Sequence, residues 1–347
     1  MSNPNEGPAH SRFVFRLILG GFLLAVLAGG YFAWREGRGK AGDAAPGSAP
    51  VVRFCTNPGA TTPQLPVWAA VREDSAGAMF RLQIETWREP GHLQAALLAG
   101  EGDFWLGHTE GFARARAQGA PVVLVAVTGW RKMSVVSFDP AVRSPRDLLD
   151  RSLPYAPKGS PAVPLLRSLL GAEGDRVRFE PQENRQIAIL LSQRKIQSAL
   201  LPEPLVTTLL DTIPDLRLAF MVEEAYAERN RGLARLPWAG LAVHERILRE
   251  HPARVAALVA GMREAVGRLN ADLDAAATVL PAEFAEVVAP AAVRSSLERD
   301  LILVEEAASV RDELRAYYEL ACPETFAAGS AWFEQGFLWE SGVVSRR

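Results

Sequence analysis

Short apolar runs alternate with amphipathic stretches along the chain from residue 51 onward. The apolar runs are typical of buried strands, and the stretches between them repeat apolar residues every three or four positions, as amphipathic helices do. The predicted strands begin at Val51 (VVRFCTN), Phe80 (FRLQIETW), Phe104 (FWLGH) and Pro121 (PVVLVAVTGW). The helices between them are predicted at 64–73, 91–98 and 110–118. This alternation predicts βαβ units and a mostly parallel sheet with right-handed crossovers.

A second set of strands and helices follows the first. Its predicted strands are LPYAP from Leu153, VRFEP from Val177, SALLPEP from Ser198 and LRLAF from Leu216, and its helices open at KGSP and cover 184–194. A further apolar strand begins at Ala239 (AGLAVHERIL), and the residues beyond His251 have helical spacing. We therefore predict an α/β fold of two lobes, each a mostly parallel sheet flanked by helices.

The lobes are predicted to share the chain unequally. The first lobe takes residues 51–138 and 222–347, and the second, smaller lobe takes 139–221. The chain is expected to cross between them near Val135–Pro140 and Phe220–Glu224. Closure of two lobes about such crossings is a common way of enclosing a ligand.

The N-terminal part of the chain is different in character. An uncharged apolar run extends from Leu17 to Trp34, and residues 13–15 lengthen it past Arg16. A helix of roughly 20 residues crosses about 30 Å of hydrocarbon, whereas the apolar core of a cleaved signal peptide has about 7–15 residues. We therefore predict an uncleaved transmembrane helix at 13–34 after a cytoplasmic segment 1–12, with cleavage as a signal peptide as the alternative. Residues 35–50 are rich in Pro, Gly and small polar residues and are predicted to be a linker.

Charge and composition exclude several classes of protein. The 347 residues carry a formal net charge of -2 with scattered basic residues, so a nucleic-acid partner is not expected. Two cysteines, Cys55 and Cys322, are too few for a disulfide-dense scaffold or a Cys-based zinc site. One disulfide between them stays open, because the sequence does not give their Cα separation. No metal and no cofactor are expected.

Motifs of the common enzyme classes do not occur in the sequence. It contains no GxxxxGK[ST], HExxH, GxSxG or CxxC pattern. Ser192 and Lys195 form an SxxK match at the basic end of a helix, without its companion motifs. We interpret that match as a solvated helix face, and we do not predict an enzyme.

Six stretches, in chain order, resemble a known family. They are PQLPVWAAVREDSAGAMFRLQIETW, HLQAALLAGEGDFWLGH, GFARARAQGAPVVLVAV, APKGSPAVPLLRSLLG, AILLSQRKIQSALLPEPLVTTLL and HERILREHPARVAALVAGM. Together they cover about residues 51–262 and resemble the periplasmic solute-binding proteins of the SsuA/THI5-like (NMT1-like) family, which serve ABC transporters for sulfonates, nitrate and thiamine precursors.

The resemblance implies the type II periplasmic-binding-protein fold and a monomer that delivers a small solute to an ABC permease. It also places the folded domain in the periplasm or outside the cell, held at the cytoplasmic membrane by the single N-terminal helix. Two departures leave the charge of the solute open. EDSAGAMF replaces the usual Gly-Phe-Phe close of the first helix, and His108 and Glu110 stand where small or hydroxyl residues are usual.

Candidate ligand-binding residues lie where predicted strands end, because ligands of open α/β sheets bind outside the carboxyl ends of the strands. The loop TNPGATTPQ offers hydrogen-bonding groups at Asn57, Thr61 and Gln64 and a close backbone approach at Gly59. An ordinary strand-to-helix turn with Asn or Thr as the helix cap is the alternative. The next such loop contains His108 as a ligand contact and Thr109 as a candidate cap, and a packed or solvated histidine is the alternative.

Three further loops complete the predicted site. Trp130 offers a ring to cover an apolar or planar ligand, or else fills the core at the crossing. Lys158, Gly159 and Ser160 open a helix and form a candidate anion site, with a simple capped helix start as the alternative. Glu203 is expected either to accept a hydrogen bond from the ligand or to pair with an arginine such as Arg185.

We therefore predict an extracytoplasmic protein that closes two lobes on a small, anionic or aromatic solute. An enzyme or a ligand sensor on the same fold, resembling the thiamine-pyrimidine synthases, is the alternative, since fold alone does not fix function. A purely structural anchored domain is the third interpretation, and it predicts no ligand-induced change.

Overall fold

The computed structural model describes residues 49–230, 233, 235–327 and 329–342. The predicted anchor at 13–34, the segment before it and nearly all of the linker lie outside these described residues. Among the residues that are described, no helix is both long and apolar enough to span a bilayer. From Ala49 onward the chain forms one compact unit.

Eleven strands occur in the described part of the chain. They are β1 (Val51–Thr56), β2 (Arg81–Thr86), β3 (Phe104–His108), β4 (Val122–Gly129), β5 (Met133–Ser137), β6 (Ser152–Tyr155), β7 (Arg178–Pro181), β8 (Ser198–Pro202), β9 (Arg217–Met221), β10 (Ala239–His244) and β11 (Glu305–Glu306).

Helices connect the strands and form the C-terminal part. They are α1 (Thr61–Glu73), α2 (Pro90–Ala99), α3 (Thr109–Ala117), α4 (Ala162–Leu170), α5 (Asn184–Ser192), α6 (Leu205–Thr212), α7 (Val222–Arg229), α8 (Glu245–Glu250), α9 (Pro252–Ala271), α10 (Leu273–Ala277), α11 (Pro290–Ser296), α12 (Arg311–Ala321), α13 (Pro323–Ala327) and α14 (Ala331–Glu334).

The strands form two mixed sheets. The order is β11-β4-β10-β3-β1-β2 in the six-stranded sheet and β7-β6-β8-β5-β9 in the five-stranded sheet. Strands β1 to β3 are parallel, as are β6 to β8, which confirms the predicted parallel order for these sets. In contrast, β10 is antiparallel to both β3 and β4, and β5 is antiparallel to both β8 and β9. Each of these two reversed strands is the first that the chain forms after arriving from the other sheet.

The chain passes between the sheets twice. It leaves β4 and enters β5 through Trp130–Lys132, which is earlier than the predicted crossing near Val135–Pro140. The short apolar run MSVVS proves to be a strand in the middle of the five-stranded sheet and not a connection. The return begins at the end of β9, as predicted near Phe220–Glu224, and continues through α7 to β10.

Apolar packing continues from one sheet to the other. All eight residues of β4 are buried, so this strand is covered on both faces. One hydrophobic cluster contains Trp105 and Leu124 of the six-stranded sheet together with Val135 and Leu200 of the five-stranded sheet. The two sheets are therefore held together by shared core as well as by the two crossings.

Candidate functional site

The side chains of Asn57 and Gln64 make hydrogen bonds that stabilise the loop between β1 and α1. The Asn57 Oδ1 atom accepts the backbone N–H of Gly59 at 2.8 Å, and the Gln64 side-chain amide donates to the carbonyls of Asn57 (2.9 Å) and Ala60 (3.0 Å). These polar atoms thus form hydrogen bonds inside the loop. This agrees with the alternative interpretation, in which the segment is an ordinary strand-to-helix turn. The loop sets the direction in which α1 starts.

Buried hydroxyl groups without partners lie where this loop meets the sheet. Thr61, the first residue of α1, is 0% exposed, and so are Thr56 and Thr128 at the ends of β1 and β4. None of these three hydroxyls has a hydrogen-bond partner in the described part of the chain. A buried polar group without a partner costs about 1–3 kcal/mol. Unsatisfied hydroxyls therefore collect near the carboxyl ends of β1 and β4, where a polar ligand or ordered water would satisfy them.

His108 and Thr109 have different surroundings at the end of β3. The Thr109 hydroxyl donates to the carbonyl of Pro237 at 2.5 Å, and its backbone N–H donates to the carbonyl of Trp238 at 3.1 Å. Thr109 thus holds the segment Pro237–Trp238, which leads into β10, against the end of β3. His108 is half-buried, and its Nδ1 atom is itself buried without a hydrogen-bond partner among the described residues, so its contact with a ligand stays a prediction.

Trp130 fills the first crossing. Its ring is fully buried, its Nε1–H donates to the carbonyl of Leu303 at 3.1 Å, and the Arg235 guanidinium lies 4.9 Å from the ring centroid. These contacts support the core interpretation over a ring that covers a ligand.

The segment Lys158–Ser160 lies before α4 in the five-stranded sheet's half of the molecule. Lys158 and Gly159 are exposed, and Gly159 has a φ of 79°, a backbone conformation that favours glycine. Ser160 is buried, and its hydroxyl accepts a long hydrogen bond from the N–H of Ala162 at 3.4 Å. Ser160 is therefore part of the helix start, while the Lys158 ammonium stands in solvent.

Glu203 follows β8 and is 3% exposed. One carboxylate oxygen accepts the hydroxyl (2.8 Å) and the backbone N–H (3.1 Å) of Thr207, and the other lies 3.5 Å from Nε of Arg299. Burial raises the pKa of Glu203, whereas the two bonds from Thr207 oppose the shift. The arginine partner is thus Arg299 and not the proposed Arg185.

Five charged side chains, all buried except the partly exposed Arg299, gather where the two sheets meet, and we call this set the junction cluster. Its members are Lys132, Glu203, Glu223, Arg299 and Asp300. The Lys132 ammonium pairs with the fully buried carboxylate of Asp300, and Arg299 donates to the Thr207 hydroxyl at 2.9 Å. Burial raises the pKa of Asp300, and its pairing with Lys132 opposes that shift. The cluster therefore joins the first crossing, the loop after β8 and the segment after α11.

Sequence reasoning did not identify four members of the junction cluster. Arg299 and Asp300 lie between a helix and a short strand, Asp300 is 168 residues from Lys132 in sequence, and the two belong to no recognised motif. The one available signal was a charged pair directly before the apolar run LILV, where a buried segment begins.

The cysteines have separate environments. Cys55 and Cys322 are both buried and do not pair with each other. Burial raises the pKa of each thiol to about 12, so neither is a thiolate at neutral pH. Clusters of His, Cys, Asp and Glu suited to a metal ion do not occur in the described ranges.

The fold is shared with solved periplasmic binding proteins. No protein-family model matches the chain, and neither does any curated protein sequence. The aliphatic sulphonate binding protein SsuA of Escherichia coli aligns with a TM-score of 0.64 at 13% identity over 86% of this chain and 94% of that one. The ligand-binding component of an ABC-type import system from Staphylococcus aureus, solved with zinc bound, aligns with a TM-score of 0.59 at 12% identity over 78% and 91%.

A third structure extends the comparison to another solute. The nitrate-binding protein NrtA of Synechocystis PCC 6803 aligns with a TM-score of 0.54 at 11% identity over 81% of this chain and 89% of that one. The agreement covers most of each chain in all three cases. The chain therefore has the mixed α/β, two-sheet fold of the periplasmic binding proteins of ABC transporters.

Proposed function

We propose that the chain is the extracytoplasmic solute-binding component of an ABC-type uptake system. One observation carries this function: the chain passes twice between two sheets, and buried polar groups without partners among the described residues lie at the carboxyl ends of β1 and β4, near the first crossing. Such groups become satisfied when a solute is enclosed. In this proposal the monomer is held at the membrane by residues 13–34 and docks on a permease.

The two sheets define the lobes of this proposal. The first lobe contains the six-stranded sheet and the second contains the five-stranded sheet, with 130–132 and 222–229 as the hinge. Thr61 and His108 would contact the solute from the first lobe, and Lys158 and Ser160 would approach it from the second. Contacts made only in the closed form would shift the population toward closure.

Ligand-dependent stability tests this function. The full-length chain is screened by thermal unfolding against sulfonates, nitrate, pyrimidines, amines and aromatic acids. A solute that binds the folded state alone raises the free energy of unfolding by RT ln(1 + [L]/Kd), and the unfolding temperature rises as a result. Small-angle scattering with and without the best compound should show a smaller radius of gyration in its presence.

A matched pair of histidine variants locates the site. His108→Ala should weaken binding of the identified solute by about tenfold, as expected for loss of a polar contact of about 1.4 kcal/mol. His92→Ala, an exposed change on α2, should leave the affinity unchanged. If no compound stabilises the protein or alters its scattering, the binding function is wrong.

A further inference from the structure

Helix α12 is attached to the lobe of the six-stranded sheet. It follows β11 of that sheet, and its Tyr317 hydroxyl donates to the carboxylate of Glu110 at 3.2 Å. The guanidinium of Arg114 donates to the carbonyl of Ala321, the last residue of α12, at 3.1 Å. Glu110 and Arg114 both lie on α3, which begins directly after β3. α12 is therefore fixed to the first lobe through α3.

The end of α12 also contacts the second lobe. The Ser168 hydroxyl, near the end of α4, donates to the carbonyl of Leu320 at 2.9 Å. This carbonyl lies in the last turn of α12, where helix carbonyls lack intrahelical partners. α4 connects β6 to β7 of the five-stranded sheet and packs against α12. α12 thus bridges the two lobes at a place other than the two crossings of the chain.

The start of α12 is attached to the crossings themselves. Glu313 accepts a hydrogen bond from the guanidinium of Arg235 at 2.7 Å, and the same guanidinium lies 4.9 Å from the ring centroid of Trp130 in the first crossing. The neighbouring backbone N–H, that of Leu236, donates to the carboxylate of Glu223 at 2.9 Å and so joins the end of the return crossing to its start on α7. A change in the angle between the lobes therefore acts on contacts at both ends of α12.

We propose that α12 is a strap between the lobes, and that the hydrogen bond from Ser168 to the Leu320 carbonyl fixes its second-lobe end. This inference rests on the proposed function, since a strap acts only where two lobes move apart. With the bond in place, separation of the lobes must either break it or pull α12 away from α3, and both cost free energy. Without it, the lobes separate more often and the end of α12 is released more often.

Thiol labelling tests the end of the strap. Cys322 directly follows α12, is 0% exposed, and donates its backbone N–H to the carbonyl of Tyr318 at 2.8 Å. Cys55, buried in β1, is the internal reference. The full-length chain is treated with N-ethylmaleimide without any solute, and mass spectrometry of a digest separates the two cysteines. We expect Ser168→Ala to be labelled about fivefold faster at Cys322, as for loss of one ordinary hydrogen bond, and at the parent's rate at Cys55.

Hydrogen exchange at Leu236 tests whether the effect reaches the return crossing. Its amide proton exchanges when the bond to Glu223 opens. Because separated lobes deform this crossing, Ser168→Ala should also exchange the Leu236 amide about fivefold faster, although the substitution lies in another lobe. Exchange is measured by mass spectrometry on the peptide that contains Leu236.

Two control variants keep the effect specific to the bond between the lobes. Ser192, near the end of α5, donates to the carbonyl of Ile189 in its own helix at 2.9 Å. Ser192→Ala removes a bond of the same length within one lobe and should leave both rates at the parent's values. Ser168→Thr keeps the hydroxyl and should also behave as the parent does.

Several outcomes would overturn the inference. Parent-like labelling of Cys322 in Ser168→Ala is one. Equal acceleration at Cys55 is another, since it indicates a global loss of stability. Faster labelling of Cys322 with unchanged exchange at Leu236 is the third, since it indicates fraying of α12 alone.

A variant at the other end of α12 gives a second test. Glu313→Gln weakens the attachment to Arg235 and should speed exchange at Leu236 and labelling at Cys322, so it replaces Ser168→Ala if that variant does not fold. Unchanged rates in Glu313→Gln would then contradict the strap. Since neither assay uses a solute, a failed ligand screen counts against the binding function and leaves the result on α12 unaffected.

Discussion

Glu223 is a buried carboxylate in the first turn of α7. Burial raises its pKa above the ordinary value of 4.5, against the opposing effects of the Leu236 N–H and of Arg131. The folded state then holds a proton that the unfolded chain releases, so the free energy of unfolding falls as the pH rises from 4.5 through the raised pKa. Glutamine resembles the protonated form and still accepts from Leu236. We expect the stability of Glu223→Gln relative to the parent to increase from acidic to neutral pH, measured by urea unfolding.

Glu228 provides the control on the same helix, because its side chain is exposed. Glu228→Gln should leave the free energy of unfolding within about 0.5 kcal/mol of the parent, as surface substitutions usually do. A pH-independent difference between Glu223→Gln and the parent would contradict the buried, raised-pKa description of Glu223.

A substitution at Trp130 tests whether this side chain fills the core or covers a ligand. Trp130→Phe keeps an aromatic ring and removes the Nε1–H that donates to the Leu303 carbonyl. We expect a loss of about 1–3 kcal/mol in the free energy of unfolding, because the fully buried ring becomes smaller and the half-buried Leu303 carbonyl loses its donor. Trp332, whose Nε1–H donates to the exposed Gly329 carbonyl at 3.0 Å, is the matched control. Trp332→Phe should cost less than Trp130→Phe by urea unfolding, since water can replace the Trp332 bond. Equal losses would show that the Trp130 bond is not buried.

At the residue scale, the sequence predicted where the candidate residues lie in the fold better than it predicted which residues they pair with. The predicted site residues lie at a strand end, in the loop after a strand or in the first turn of a helix, but Glu203 pairs with Arg299 and not with Arg185. Charge pairs between distant segments depend on how the helices beyond β10 pack, which local pattern does not contain. The assignment of individual residues to the solute remains a prediction.

Gly240 in β10 shows how closely the strands of the six-stranded sheet approach. A Cβ atom there would lie 2.5 Å from the backbone oxygen of Ala126, which cannot move without disturbing β4. We expect Gly240→Ala to lower the free energy of unfolding by about 2 kcal/mol or more through overpacking. Gly267, exposed in α9, has no atom within 4 Å of its added Cβ, so Gly267→Ala should stabilise by about 0.5–1 kcal/mol. Urea unfolding of the two variants should give shifts of opposite sign, and a neutral Gly240→Ala would contradict the packing of β10 on β4.

At the element scale, long periodic segments were predictable and short ones were not. The strands β1 to β4 and the helices between them agree with the predicted positions to within a few residues. In contrast, β5 was taken for a crossing and β11 was missed, because runs of five and two residues carry too little periodicity to identify a strand. Their assignment depends on pairing with β8, β9 and β4, which are remote in sequence.

At the scale of the whole molecule, the shared hydrophobic core limits how the two sheets can separate. Separation of residues such as Trp105 and Val135 would expose apolar surface at about 25 cal/mol per Å². The charged side chains of the junction cluster can replace their contacts by hydrogen bonds to water, which costs less free energy than exposing the apolar core. We therefore expect opening to begin at the loop after β8 and the segment after α11, and not along the apolar part of the interface.

Arg299 is the side chain that joins those two segments. Its guanidinium donates to the Thr207 hydroxyl at 2.9 Å and lies 3.5 Å from the Glu203 carboxylate, at 31% exposure. Arg299→Gln should destabilise this contact by about 1–2 kcal/mol, an amount reduced by the partial exposure of the guanidinium. Amide hydrogen exchange in α6 should then become about tenfold faster, because local opening becomes easier by about 1.4 kcal/mol. Arg294→Gln is the matched control, since Arg294 is 35% exposed and pairs with the exposed carboxylates of Asp274 and Glu298. If both variants leave exchange in α6 unchanged, Arg299 does not hold the two segments together, and opening must begin elsewhere.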